Sequence, residues 1–241
     1  MTVRNNKIGT ALVLSLLLTA CGVTPITKVE TLDAAFSDKA ATERLGIIKF
    51  DVYVLQPPGT GQAVAGQFGL LGVLAWAAAT DAANQRDYSV DAPGVKIYRD
   101  ALSLLVDRLR SNEAINYVAP TAVLDPDDVE LSRHIRHLQL HGTKTPSAEE
   151  IAQFCDQHAL HFALYSGHWG GVYRGDNTLI MASKWHVYDR GGTKVVSVIT
   201  RSRSAEPVTQ PEDPYAHTDA LFTLYQENVG KFLTALKTGG P

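Results

Sequence analysis

Three histidines, His134, His137 and His141, stand at i, i+3 and i+7 in a stretch with helical periodicity. That spacing puts three imidazoles on one helix face, and imidazole is a common transition-metal ligand. A tetrahedral site would draw a further carboxylate or thiolate from elsewhere in the fold. The competing reading is a solvated helix face, because Arg133 and Arg136 bring positive charge that discourages a cation. No metal site is assigned on this pattern. Ser166 precedes His168 in Tyr165-Ser166-Gly167-His168, which raises the thought of a nucleophile and its base. The segment lacks the G-x-S-x-G elbow that exposes a catalytic serine. Successive strand residues also point to opposite faces, so closeness in sequence does not make a shared site. Gly59-Thr60-Gly61 and Gly66 follow a strand and precede an apolar stretch, like a phosphate-binding loop. The dinucleotide form needs a third glycine sooner, and the P-loop form needs Lys then Ser or Thr, where Gln67 and Phe68 stand here. Neither a catalytic set nor a cofactor site is assigned, and the chain reads as a non-enzyme.

Those residues must be positioned by a fold, and the periodicities predict an α/β one: a single domain with a mixed sheet and helices packed on it. Residues 45–55 are β-branched and apolar and predict a strand, stopped at Pro57-Pro58-Gly59. Ile97, Ala101, Leu104, Leu105 and Leu109 form the stripe of an amphipathic helix over 95–111. A short strand follows at 115–119. Asp125-Pro126 opens a second helix that runs to about residue 140. Ser147 and Glu150 make a capping box that starts a helix over 147–158. Strands are predicted at 161–167, 178–188 and 193–201, the last two joined by a turn at Asp189-Arg190-Gly191-Gly192. A final helix starts near Pro214 and stops at Gly239-Gly240. Trp169, Tyr173, Trp185 and Tyr188 gather around one hairpin, as either interface aromatics or core.

The chain begins with Arg4 and Lys7 and no acid, followed by an almost wholly apolar run over residues 8–18. This is the n-region and h-region of a signal peptide, and the run is too short to span a bilayer. It ends in Leu18-Thr19-Ala20-Cys21-Gly22, which resembles the bacterial lipobox. The resemblance implies cleavage before Cys21 and lipid attachment there, so residues 1–20 are a signal peptide. One acyl chain holds a protein only marginally, whereas several hold it stably. Gly22, in place of the Asp that retains such proteins in the inner membrane, implies the outer membrane, with the periplasmic face expected. Residues 21–44 then read as a polar, Ala-rich acylated tether, and residues 45–238 as a periplasmic domain. Within it, residues 63–83 are rich in Ala and Gly and nearly uncharged. They read as an apolar helix that is buried, packs on a second copy, or touches the membrane.

Of the 22 basic residues, Arg4 and Lys7 go with the leader, leaving 20 against 25 acidic ones. No basic stripe exists, and nucleic acid is not an expected partner. Cys21 and Cys155 are the two cysteines. With Cys21 acylated, no intrachain disulfide can form, and Cys155 in Ile151-Ala152-Gln153-Phe154-Cys155 reads as a buried structural thiol.

Four segments carry a further likeness: Leu45-Gly46-Ile47-Ile48-Lys49-Phe50, residues 102–118, residues 149–167, and Val187-Tyr188-Asp189-Arg190-Gly191-Gly192-Thr193. In their order the chain is similar to a group of periplasmic α/β domains. The group includes the curli secretion channel lipoprotein, the lipoprotein activators of peptidoglycan synthases, and the N-terminal domain of the Tol-system β-propeller protein. The resemblance implies a non-enzymatic protein that works by binding or assembly. The expected partners are the membrane, through the anchor, and an envelope protein or a second copy of the chain. The alternative is a subunit of an oligomeric outer-membrane secretion channel or pore.

Overall fold

The computed structural model describes residues 26–55, 93–118, 128–173, 175–209 and 214–238. Strand β2 (Arg44–Val54) is buried along nearly its whole length, which its run of Ile47, Ile48, Phe50, Val52 and Val54 requires. It lies between β4 (Phe162–Tyr173) and the short β3 (Asn116–Tyr117), parallel to both. β5 (Thr178–Asp189) and β6 (Lys194–Pro207) continue from β4 in antiparallel fashion. With β1 (Ile26–Leu32) the order across the six-stranded mixed sheet is β1-β6-β5-β4-β2-β3. Among the described residues five α-helices accompany it: α1 (Ala34–Lys39), α2 (Pro93–Arg110), α3 (Asp128–His141), α4 (Ala148–His158) and α5 (Thr218–Thr238). The fold is therefore the expected α/β one.

Strand alternation divides the interior into two cores. Phe162 and Leu164 of β4 join Trp185, Val187, Val196 and Val198 in the larger core, under α2 and α5. Ala163 and Tyr165 point the other way and join Tyr188 beneath Ile151 and Cys155 of α4. Trp185 anchors the larger core. Its ring stacks on Phe232 with centroids 4.5 Å apart and planes 7° apart, and its indole N–H donates to Thr200 Oγ1 at 3.0 Å. Asn228 ties α5 to the sheet by donating to the Met181 carbonyl at 2.9 Å and to Ser183 Oγ at 3.1 Å. It accepts from Ser202 Oγ at 2.9 Å.

The capping box forms as expected. Glu150 N–H donates to Ser147 Oγ at 3.2 Å, and Ser147 N–H donates to Glu150 Oε2 at 2.6 Å. The Ser147 N–H, followed by its hydroxyl, holds the Glu150 carboxyl below its usual range. The predicted turn joins β5 to β6, with Gly192 N–H donating to the Asp189 carbonyl at 3.0 Å. Gly192 has φ +80°, and a Cβ there would lie 2.7 Å from Ala148 Cβ, so glycine serves both the turn and its approach to α4.

Three expectations change. The stretch expected as a tether enters the fold: Ile26–Leu32 pairs antiparallel with β6 from Ile26↔Arg201 to Leu32↔Val196, and α1 follows it. Its alternation, Thr27 and Val29 inward against Lys28 and Glu30 outward, is a one-sided edge-strand pattern that polar composition disguised. β4 runs on past residue 167, the expected end of the strand, through Gly170 and Gly171 to Tyr173. A Cβ on Gly170 would meet Met181 at 3.0 Å and Leu221 at 3.1 Å, so the glycine admits α5 rather than ending the strand. β6 likewise extends to Pro207, held by Thr178↔Pro207. The Gly/Ala-rich segment at 63–83 and the Asp125-Pro126 cap lie outside the described residues.

Candidate functional site

Cys21, the expected lipid attachment point, lies outside the described residues. β1 begins five positions later, at Ile26.

A second charged centre was not read from the sequence. Asp51 sits in the middle of β2 with no solvent exposure. His134 Nε2 donates to its Oδ1 at 2.9 Å, and Lys49 Nζ forms an ion pair with Oδ2 at 3.3 Å. Lys49 also donates to the Lys144 carbonyl at 2.8 Å. A buried carboxylate survives when its charge is matched: His134 of α3 bonds Oδ1, and Lys49 of β2 pairs its charge with Oδ2, which accepts no hydrogen bond among the described residues. Tyr98 closes the group from α2. Its hydroxyl donates to the Phe50 carbonyl at 2.9 Å, and its ring meets His134 edge-on at 6.2 Å. Burial, then the Asp51 charge, pushes the Tyr98 and Tyr53 hydroxyls above their ordinary values. The one sequence signal was a lone acid within the apolar run Phe50-Asp51-Val52-Tyr53-Val54.

An aspartate that orients an imidazole is half of an acid–base arrangement. The other half would be a nucleophile or substrate position within reach of the histidine; among the described residues the contacts His134 makes are its bond to Asp51 and its ring contact with Tyr98. The pairing accounts for a buried charge and for the setting of α3 on β2.

The three histidines of α3 separate. His134 turns to Asp51, while His137 and His141 are exposed, with ring centroids 4.6 Å apart. Among the described residues no group of three or more His, Cys, Asp or Glu side chains is placed to hold a metal ion.

Ser166 and His168 share the larger core instead of a cleft. Both have no exposure, and neither Ser166 Oγ nor either His168 ring nitrogen has a hydrogen-bond partner. His168 is packed by Trp185 at 4.6 Å, Tyr225 at 4.9 Å and Phe50 at 5.2 Å. Burial alone lowers its pKa to about 3, so it is a neutral core residue at physiological pH. His186, on the opposite face of the sheet, is lowered to about 4 by burial and then by Lys194 and Lys184.

Of the hairpin aromatics, Trp185 and Tyr188 are core, while Trp169 and Tyr173 are half-buried. Cys155 is fully buried beneath α4, and burial raises its thiol to about 11, which leaves it inert. β5 and β6, at 12 and 14 residues, exceed the 9–11 or so that a membrane strand needs. Both are interior strands of the sheet with α5 on one face, so the hairpin is committed to the domain core. Among the described residues no helix is long and apolar enough to cross a membrane.

No protein-family model matches the chain. No curated protein matches it either. Among solved structures it is similar to the PelC dodecamer from Paraburkholderia phytofirmans, with 9% identity and a TM-score of 0.38, covering 88% of this chain and 97% of that one. A single-substitution variant of that dodecamer gives 8% identity and a TM-score of 0.35, covering 86% of this chain and 97% of the other. At this level of likeness no residue role transfers.

Proposed function

We propose that this chain is a lipid-anchored lipoprotein of the bacterial outer membrane that acts by non-covalent binding, to an envelope protein or to a second copy of itself, in cell-envelope assembly or export. One observation carries the reading: a signal-type leader that ends in Leu18-Thr19-Ala20-Cys21. Acyl chains at Cys21 contribute about 0.8 kcal/mol per buried methylene, so three chains fix the protein to a bilayer. The role is non-enzymatic. Its titratable centre at Asp51 is internally neutralised, and its serine–histidine pair is locked in the core.

The test is the intact mass and N-terminal sequence of the protein purified from bacterial envelopes. The expected mature chain starts at Cys21 and carries the added mass of fatty acyl groups, and Cys21→Ser accumulates as uncleaved precursor. A mature chain that starts elsewhere, or one without fatty mass, overturns the reading. Light scattering of the detergent-solubilised protein then separates a self-associating protein from one that binds another.

A further inference from the structure

On the sheet face away from α5, Lys184 of β5, Ile199 of β6 and Lys28 of β1 form one cross-strand row, through the pairs Lys184↔Ile199 and Ile199↔Lys28. The inward partners fix this orientation. Trp185, Val198 and Val29 of the same strands pack in the larger core, so their neighbours Lys184, Ile199 and Lys28 face outward. Lys28 and Lys184 are two strands apart, about 10 Å, and both are exposed. The next row toward the start of β1 holds Arg201, which pairs directly with Ile26 and is half-buried, with its Nε enclosed. Glu30, the acid on this face of β1, lies on the other side of Lys28, bonded to it at 2.9 Å and to Ser197 Oγ at 3.0 Å. Two exposed lysines and the half-buried Arg201 thus lie toward the end of the sheet where β1 begins, on a chain whose net charge is −3. Among the described residues the principal helix over β1, β5 and β6 is α5, and it lies on the opposite face.

The chain leading to this end is short. Four residues lie between Cys21 and Ile26, and the five residue steps between them reach about 18 Å at most when fully extended. Acyl chains at Cys21 would therefore hold the start of β1, and Arg201 beside it, close to the headgroup layer. The attraction of a basic side chain for an anionic surface operates within a Debye length, about 8 Å at physiological salt. A long tether would have left the orientation of the domain free; β1 removes that freedom.

We infer that the face bearing Lys28, Lys184 and Arg201 docks on the anionic phospholipid headgroups of the membrane that holds the anchor, and so orients the domain on the bilayer. The inference rests on the anchor reading for proximity, and on the folded sheet for the placement of the charges. Each docked cation contributes about a fivefold preference for the anionic surface.

The test uses the mature acylated protein in phosphatidylcholine vesicles, with and without phosphatidylglycerol, and a membrane-impermeant amine reagent read by peptide mass. Each lysine is compared with itself in the two vesicles, so its intrinsic reactivity cancels. Lys28 and Lys184 label about fivefold more slowly in the anionic vesicles, and high salt removes the protection. Lys39, which follows the far end of β1, and Lys96 on α2 label equally in both. Lys184→Glu abolishes the protection of Lys28. The inference is overturned if Lys28 and Lys184 label alike in the two vesicles, or if neutral vesicles protect them equally. Protection shared by Lys39 and Lys96 overturns it too. Intact mass tests the anchor separately. If fatty mass is absent, flotation of the same chain with the anionic vesicles tests the face, and failure to float overturns it.

Discussion

His168 offers the sharpest test of how the core was built, because its imidazole is wholly enclosed by Phe50, Trp185 and Tyr225 with no hydrogen bond to either nitrogen. In the unfolded chain a histidine titrates near 6.5; in the fold this one is lowered to about 3. The unfolded state therefore binds the proton first as pH falls. The stability contributed by the neutral, buried ring is fully present above pH 6.5 and is lost progressively toward pH 3. At pH 4.5, two units below the unfolded value, the loss is about 3 kcal/mol. That is roughly a fifth to three-fifths of the stability of a typical domain of about 5–15 kcal/mol. His168→Leu removes the proton site at nearly constant volume and leaves no unpaired nitrogens in the core. At pH 7 the variant is expected within about 1.5 kcal/mol of the parent. Urea unfolding followed by tryptophan fluorescence at pH 7 and pH 4.5 measures both chains. The difference between the two pH values shrinks by about 3 kcal/mol in the variant. His186, whose lowered value near 4 gives a loss of the same sign between pH 6.5 and 4, is present in both chains and cancels. If the two chains lose stability equally on acidification, His168 is not the buried neutral group described and the argument fails.

Two other outcomes follow from local geometry. His134→Ala leaves the Asp51 carboxylate buried with Lys49 as its remaining cation and costs about 2 kcal/mol in urea unfolding. His134→Gln, which can still donate, recovers part of that. Ser147→Ala removes the acceptor for the Glu150 N–H and costs about 1 kcal/mol, and hydrogen exchange rises first in the opening turn of α4.

What the sequence settled by itself is local. The capping box at Ser147 and Glu150, the turn through Gly192, the stripe of α2 and the apolar run of β2 depend on neighbours within a few positions, so their signals are written in the spacing of residues. The Leu18-Thr19-Ala20-Cys21 pattern on which the proposed anchor rests is a local signal of the same kind. The tertiary structure decided what depends on distant partners. Whether Ile26–Leu32 was tether or edge strand turned on β6, some 170 positions away, because a half-polar strand has no hydrophobic run to announce it. The extension of β4 beyond residue 167 turned on Leu221 of α5, which packs where a side chain at Gly170 would stand. His134 belonged by spacing to a histidine face and in space to Asp51, 83 residues earlier, because a buried charge draws its partner from whichever element packs over it. His168 went to the core on the same principle: strand alternation sets which face a side chain takes, and only packing decides whether that face meets water.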